Sequence, residues 1–328
     1  MAESTRIAFV GAGGIARAHI EALLRFADVE IAAIADTVEE KVADRIGEVR
    51  QKRPDARPAS FSDSLAMLQQ IRPDAAYIVV PPFAHGPAER ACLELGIPFF
   101  VEKPIGLDMG VIREIADEVE ATRLLTCAGY MNRYRKGVQR ARALLADGAP
   151  VLMHGGWIGG APGPGSWWIQ KDRSGGQAVE QSTHTFDLVR YLGGEALGIS
   201  AHAVTGFNSG IPGYTIEDAS AVTVRLEGGG LATVFSCCAA SGGGGGVWLS
   251  VYAPDVTILF TGWEHSAHIL QRGQEAENIA GEPDIFTIED RAFVDALQTG
   301  DRSGILSDYA DAARTLELTL KANDLMAA

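Results

Sequence analysis

Apolar and polar positions follow two different rhythms along this chain. Up to about residue 128, short solid apolar runs alternate with stretches of helical spacing. Ile7–Val10, Val29–Ala35, Ala75–Val80 and Ile97–Val101 are the apolar runs, each of strand length. Between them, Ile15–Phe26 repeats its apolar residues with the helical period, and Leu65, Leu68 and Ile71 form a stripe behind Ser62, which reads as an N-cap. Glu89–Leu95 is helical and stops at Gly96. A helix from about Asp108 to Ala121 leads to a strand at Leu124–Cys127. The stretch from Lys41 to Pro58 is polar, with prolines and charges, and shows neither rhythm. Strands alternating with helices predict βαβ units and a parallel sheet.

Past residue 129 the texture changes. Ala219–Leu226 alternates, Gly228-Gly229-Gly230 turns, and Leu231–Cys238 alternates again, which predicts a hairpin. Val247–Ala253 and Val256–Phe260 predict another around Pro254-Asp255. Helices are expected near 180–192, at Phe293–Leu297 and at Tyr309–Met326. The fold class is therefore α/β: a doubly wound parallel sheet over 1–128, then a second α/β domain over 129–328 with a mostly antiparallel sheet. Two glycine-rich loops stand out. Gly242–Gly246 is costly to order, so it is expected to be mobile or to close over a ligand. Gly159–Trp168 carries two prolines and a tryptophan pair. A plain solvent loop is the competing reading of both.

Bulk properties narrow the function. The 328 residues suit two domains, and 47% hydrophobic with 21% charged is globular. A net charge of −14 argues against nucleic acid or anionic membranes. The densest basic run, Arg133, Arg135, Lys136 and Arg140, reads as a solvated helix face. Cys92, Cys127, Cys237 and Cys238 have no metal-ligand spacing and are expected to be reduced packing residues, and no metal is expected. Met1 leads through polar residues into a strand, so no signal peptide is expected, and no apolar stretch is long enough for a membrane span. A cytoplasmic protein follows as the expectation.

Three constellations carry chemistry. Gly11-Ala12-Gly13-Gly14-Ile15-Ala16 sits between the first strand and first helix, the dinucleotide fingerprint in its G-x-G-x-x-A form. Gly11 permits a tight turn and Gly13 a close backbone approach to a pyrophosphate, while the helix N-terminus offers N–H groups and positive dipole. Asp36 ends the second strand, where a carboxylate accepts from ribose hydroxyls and repels a 2′-phosphate. No arginine immediately follows, so NAD is favoured over NADP. Capping of the next helix is the alternative for Asp36. Pro81-Pro82-Phe83-Ala84-His85 follows the third apolar run; the prolines hold the loop against the cofactor, and His85 contacts the cofactor or caps the next helix.

Glu102-Lys103-Pro104 ends the fourth apolar run. Ligands of open parallel sheets bind beyond the carboxyl ends of the strands, so Lys103 is placed to meet cofactor and substrate. Pro104 favours an extended Lys103. A strand-end lysine in water is the competing reading. The third constellation is Glu180, His184 and Asp187, spaced i, i+4, i+7 on one helix face. Carboxylates flanking a histidine fix its tautomer and suit it to act as a general base. An acidic helix cap beside a surface histidine is the alternative. The remaining histidines lack this setting and read as structural or exposed.

With these motifs in hand the chain resembles the Gfo/Idh/MocA oxidoreductases over nearly its whole length, on Gly11–Ala16, Pro81–His85, Glu102-Lys103-Pro104 and the Gly175–Asp187 block. The resemblance implies a large open sheet in the second domain, used for homodimer or homotetramer contacts, and last helices packing back on the first domain. It implies that Lys103 contacts the reacting oxygen, that His184 is the acid/base and that Asp187 binds substrate. Glu180 stands where many members have Asp, which leaves it either steering the base or binding a sugar hydroxyl. The implied reaction moves a hydride between nicotinamide and a carbon of a sugar, polyol or inositol-like substrate. Trp167 stacks on a sugar face or packs, and Arg133 and Tyr130 are further candidates facing the cleft. Two other functions share the fold: a glycosidase or lyase using NAD transiently, and a non-catalytic dinucleotide-binding sensor.

Overall fold

In a computed structural model of the chain, residues 4–146, 148–241 and 245–327 are described. The first three residues of the five-glycine run, Gly242–Gly244, lie outside them. The chain divides into two compact units, Met1–Met131 with Asp284–Ala313, and Asn132–Pro283 with Arg314–Ala328.

The first unit is built from β1 (Thr5–Val10), α1 (Gly14–Leu23), β2 (Val29–Ala35), α2 (Glu39–Lys52), β3 (Ala59–Phe61), α3 (Ser64–Ile71), β4 (Ala75–Ile78), α4 (Pro87–Leu95), β5 (Phe99–Val101), α5 (Met109–Thr122) and β6 (Thr126–Ala128). Its sheet has the order β3-β2-β1-β4-β5-β6, every neighbour pair parallel. The chain reverses direction across the sheet between β1 and β4, which places a ligand crevice at the carboxyl ends of these strands. The apolar runs are solid because these strands are buried on both faces: every residue of β4, β5 and the edge strand β6 is buried.

Helix ends are set by identifiable side chains. Asp63, not the expected Ser62, caps α3, its carboxylate accepting from the N–H groups of Leu65 and Ala66. Asp108 does the same for α5 at Gly110 and Val111. The polar stretch from Lys41 holds most of α2, for which sequence reading assigned no element. Only Val42, Ile46 and Val49 of that helix are buried, a stripe too thin to stand out among its charges.

The second unit opens with α6 (Lys136–Leu144) and β7 (Leu152–Ile158), then α7 (Lys171–Ser174), α8 (Gln177–Glu180) and α9 (Thr183–Gly193). Seven strands follow: β8 (Ala196–Val204), β9 (Ala219–Leu226), β10 (Leu231–Cys237), β11 (Gly246–Tyr252), β12 (Val256–Thr261), β13 (Ser266–Gln271) and β14 (Glu277–Ile279). The eight strands order β14-β13-β12-β11-β7-β10-β9-β8, antiparallel throughout except where β10 meets β7. Both expected hairpins form, β9 with β10 and β11 with β12. Alternate residues such as Val222, Val224, Val234, Leu249 and Val251 bury one face of this sheet in a cluster with Val138 of α6 and with Phe186 and Val189 of α9. Burying side chains of this size contributes roughly 1.5–3 kcal/mol each.

The last two helices are α10 (Ile285–Thr299) and α11 (Tyr309–Ala327). Phe293, Val294 and Ala296 of α10 belong to the core of the first unit, with Ala16, Ile20 and Leu23 of α1. Leu318 and Ala322 of α11 belong to the core of the second. Among the described residues no helix is long and apolar enough to cross a membrane.

Candidate active site

The glycine loop between β1 and α1 is shaped by close approach. Gly11 has φ +103°, and a Cβ there would lie 2.1 Å from the Val79 carbonyl oxygen, so no other residue fits. Gly13 and Gly14 would meet nothing within 4 Å, leaving open space above the loop. Gly13 is the N-cap of α1 and brings no side-chain cap, so the helix's first N–H groups are left for another acceptor. Ala12 is buried and Ile15 is exposed on the first turn. This loop fits a dinucleotide pyrophosphate.

Asp36, one residue past β2, accepts from the Ala12 N–H through Oδ2 at 2.8 Å and from the Val38 N–H through Oδ1 at 2.9 Å. It therefore ties the glycine loop to the β2 exit and shapes the approach to α2, whose N-cap is Val38. Pro81 is extended, and Pro82 starts a short 3-10 turn ending at Ala84. The cap of α4 is built by Glu89, which accepts from the Gly86 N–H at 2.7 Å. His85 pairs with that same carboxylate at 2.6 Å, so it braces the cap without making it.

Lys103 is half-buried two residues past β5, at the same carboxyl edge of the sheet as the glycine loop. The Lys103–Pro104 peptide is cis. Glu102 is buried; its Oε2 accepts the Lys103 N–H at 3.0 Å and its Oε1 lies 3.1 Å from His19 Nε2. On its other side, His19 Nδ1 lies 2.8 Å from Asp290 Oδ1. Burial opposes the charge of this imidazole, but the adjacent carboxylates of Asp290 and Glu102 outweigh it and hold its pKa up at about 10. A histidine whose folded pKa exceeds its unfolded value stabilises the fold fully below pH about 6.5, and the contribution is lost as pH rises toward 10. The titratable groups facing it are Asp290, Glu102 and Tyr77. NMR of ring-labelled histidine is expected to show one imidazolium, absent from His19→Gln, that stays protonated through pH 8; titration near 6.5 would refute it. Sequence reading passed over His19. The signal was a polar residue beside Ile20 on the core-facing stripe of α1.

In the second unit the expected single helix from Glu180 is two pieces. Glu180 ends α8, and α9 starts at Thr183 after Gln181 and Ser182. His184 and Asp187 share α9 at i, i+3, but Glu180 does not continue their helical face. The Gly175-Gly176 turn before α8 is held by buried Glu217, which accepts from the Gln177 N–H at 2.8 Å and from Lys171 Nζ at 2.9 Å. His184 is half-buried, its ring edge-on to Trp263 at 6.4 Å, a neighbour sequence reading did not name. Trp167 and Trp168 stack at 6.4 Å on a 3-10 turn capped by Ser166, both half-buried.

Asp187 and Arg133 are both buried and bind each other. Arg133 Nε donates to Oδ2 at 2.8 Å and Nη2 to Oδ1 at 2.6 Å, and Thr315 of α11 donates to Oδ1 at 3.1 Å. The solvated basic face expected around Arg133 and Arg135 is thereby corrected. Arg135 is also buried, donating to Asn132 Oδ1 and to the carbonyls of Glu282 and Trp263. Carbonyl acceptors and a carboxylate supplied from far along the chain leave no trace in local spacing. Among the described residues no group of three His, Cys, Asp or Glu side chains is arranged to hold a metal. None of the four cysteines is in a disulfide.

Residues 5–130 match the oxidoreductase family with an NAD-binding Rossmann fold, and residues 138–259 match the C-terminal domain of the same Gfo/Idh/MocA group. The chain belongs to the Gfo/Idh/MocA oxidoreductase family. It is 26% identical over 175 residues to scyllo-inositol 2-dehydrogenase (NAD(+)) of Bacillus subtilis (strain 168), covering 52% of this chain and 51% of that one. It is 23% identical over 233 residues to a myo-inositol 2-dehydrogenase of Thermotoga maritima, covering 70% and 67%. The chain thus spans about half the length of several curated relatives that it matches. Among solved structures, levoglucosan dehydrogenase in complex with NADH superposes with a TM-score of 0.84 at 17% identity, over 99% of this chain and 96% of that one. UDP-N-acetylglucosamine 3-dehydrogenase of Acidithiobacillus ferrooxidans gives 0.82 at 20%, over 98% of each. At these identities the structural likeness concerns the fold.

Proposed function

We propose that the chain is an NAD-dependent dehydrogenase of a secondary alcohol on a sugar, polyol or inositol-like ring. The observation that carries this reading is Lys103, set at the carboxyl edge of the sheet whose β1 exit carries the glycine loop. Gly11 to Ile15 would hold the pyrophosphate and Asp36 the adenosine ribose, while Pro81, Pro82 and His85 form the neighbouring wall. NAD, when bound, supplies the acceptor for the hydrogen and electron pair leaving the alcohol carbon. The side chains do the rest. His184 takes the hydroxyl proton, and Lys103 stabilises negative charge developing on that oxygen. Glu180 and Trp167 contact the ring, and Arg133 with Asp187 holds α9 and so His184. Relatives named as inositol dehydrogenases support the substrate class.

The test is a panel of inositols, aldoses and polyols offered with NAD and with NADP. Accumulation of reduced cofactor is expected with at least one of them. Because the Asp36 carboxylate repels a 2′-phosphate, NAD should be preferred by tenfold or more, about 1.4 kcal/mol. Accumulation with no member of the panel, or a preference for NADP, refutes the reading.

A further inference from the structure

The proposed roles leave His19 unused, yet it pairs with the carboxylate that accepts the lysine's backbone N–H. It lies on the helix that opens at the glycine loop, is fully buried, and is ringed by Phe100 at 4.9 Å, Phe286 at 5.0 Å and Tyr77 at 5.5 Å. Each of its nitrogens is within hydrogen-bond distance of a carboxylate, Asp290 of α10 on one side and Glu102 on the other. A neutral imidazole has one N–H and can donate to only one of them; the imidazolium donates to both. Room for Glu102 is kept by Gly129, where a Cβ would lie 2.4 Å from Oε1. The second oxygen of Glu102 then accepts the backbone N–H of Lys103 itself.

We infer that His19 is a positioning residue for Lys103, joining the cofactor-binding helix α1 to the lysine's backbone through Glu102. Three elements, α1, the β5 exit and α10, meet on one imidazolium. Packed aromatic rings deny it alternative positions, so displacement of the glycine-loop helix is transmitted to the backbone that carries the ammonium. A buried carboxylate deprived of its cation would turn toward another donor or take up a proton, and either response releases the Lys103 N–H. The inference rests on the dehydrogenase reading, in which Lys103 acts beside bound NAD.

The experiment reads the lysine directly and needs no substrate. Lysines are dimethylated with carbon-13, and the Lys103 resonance is assigned by its absence from Lys103→Arg. NAD is then titrated into wild type and His19→Gln, with calorimetry reporting NAD affinity and circular dichroism the fold. In wild type, NAD is expected to shift the Lys103 resonance. In folded His19→Gln, NAD still binds, but the resonance starts from a different position and loses at least half of its NAD-induced shift. Asp290→Asn removes one carboxylate with less disruption and is expected to displace the resonance in the same direction, which keeps the test decisive if His19→Gln does not fold. A Lys103 resonance and NAD response unchanged in either folded variant overturns the inference alone. Failure of wild type to bind NAD overturns the dehydrogenase reading, and this inference with it.

Discussion

Lys103→Ala is expected to lower kcat by roughly 10²–10³, the usual cost of removing one donor aimed at developing negative charge on oxygen. The loss should fall equally on kcat and kcat/KM, because the interaction strengthens as charge builds on that oxygen. NAD affinity should stay near the wild-type value, since Gly11, Gly13 and Asp36 hold the glycine loop without Lys103. Lys103→Arg keeps the charge but replaces a compact ammonium by a planar fork, so it should not restore the rate. His184→Ala should cost roughly 10²–10⁴, the range for a general base. The double variant should lose less than the product of the two if both act on one oxygen. The measurement is steady-state turnover on the best substrate of the panel, with calorimetry for NAD. Turnover of Lys103→Ala within a few-fold of wild type would remove the lysine from the chemistry.

The fold was legible from the chain to the extent that its physics is local. Solid apolar runs marked the buried parallel strands, and alternation marked β9 and β10, because burial on two faces or on one writes itself into the period. Glycine-loop geometry was legible for the same reason: a position that clashes with Val79 admits only glycine. Long-range electrostatics were not. Arg133 and Arg135 look like a solvated basic run, yet each is buried against partners contributed by distant segments. His19 and Asp290 are 271 positions apart and become partners only when α10 joins the first core. The break at Gln181–Ser182 was missed because Glu180, His184 and Asp187 keep helical spacing across it. Periodicity says which residues would share a face if the helix were continuous, and not whether it is. Between α8 and α9, Ser182 makes no side-chain cap; its hydroxyl lies 2.6 Å from that of Ser236 on β10 instead.

The second large effect concerns stability, and it falls on the Arg133–Asp187 pair. Both side chains are almost fully out of solvent and meet in a two-point, charge-assisted geometry. Removing one partner leaves the other charge buried, which costs about 3–5 kcal/mol. Arg133→Met is therefore expected to lower the urea midpoint of the transition that melts the eight-stranded sheet. Asp187→Asn should cost less, because the amide oxygen still accepts from the guanidinium or from Thr315. The pair is a coupled unit, so Arg133→Met with Asp187→Leu should recover much of the loss, as apolar replacements of buried ion pairs often do. That non-additivity separates a lost pair from general damage to the core. Two units need not melt together, so the transition must be followed by a probe within the second, such as tryptophan fluorescence from Trp157, Trp248 and Trp263. Asp187 lies one turn along α9 from His184, so releasing it is expected to let the proposed base drift before the unit unfolds. Arg133→Met should then lose turnover at temperatures where its fluorescence is still native. A double variant no more stable than Arg133→Met would show that the buried pair does not set the stability of this helix.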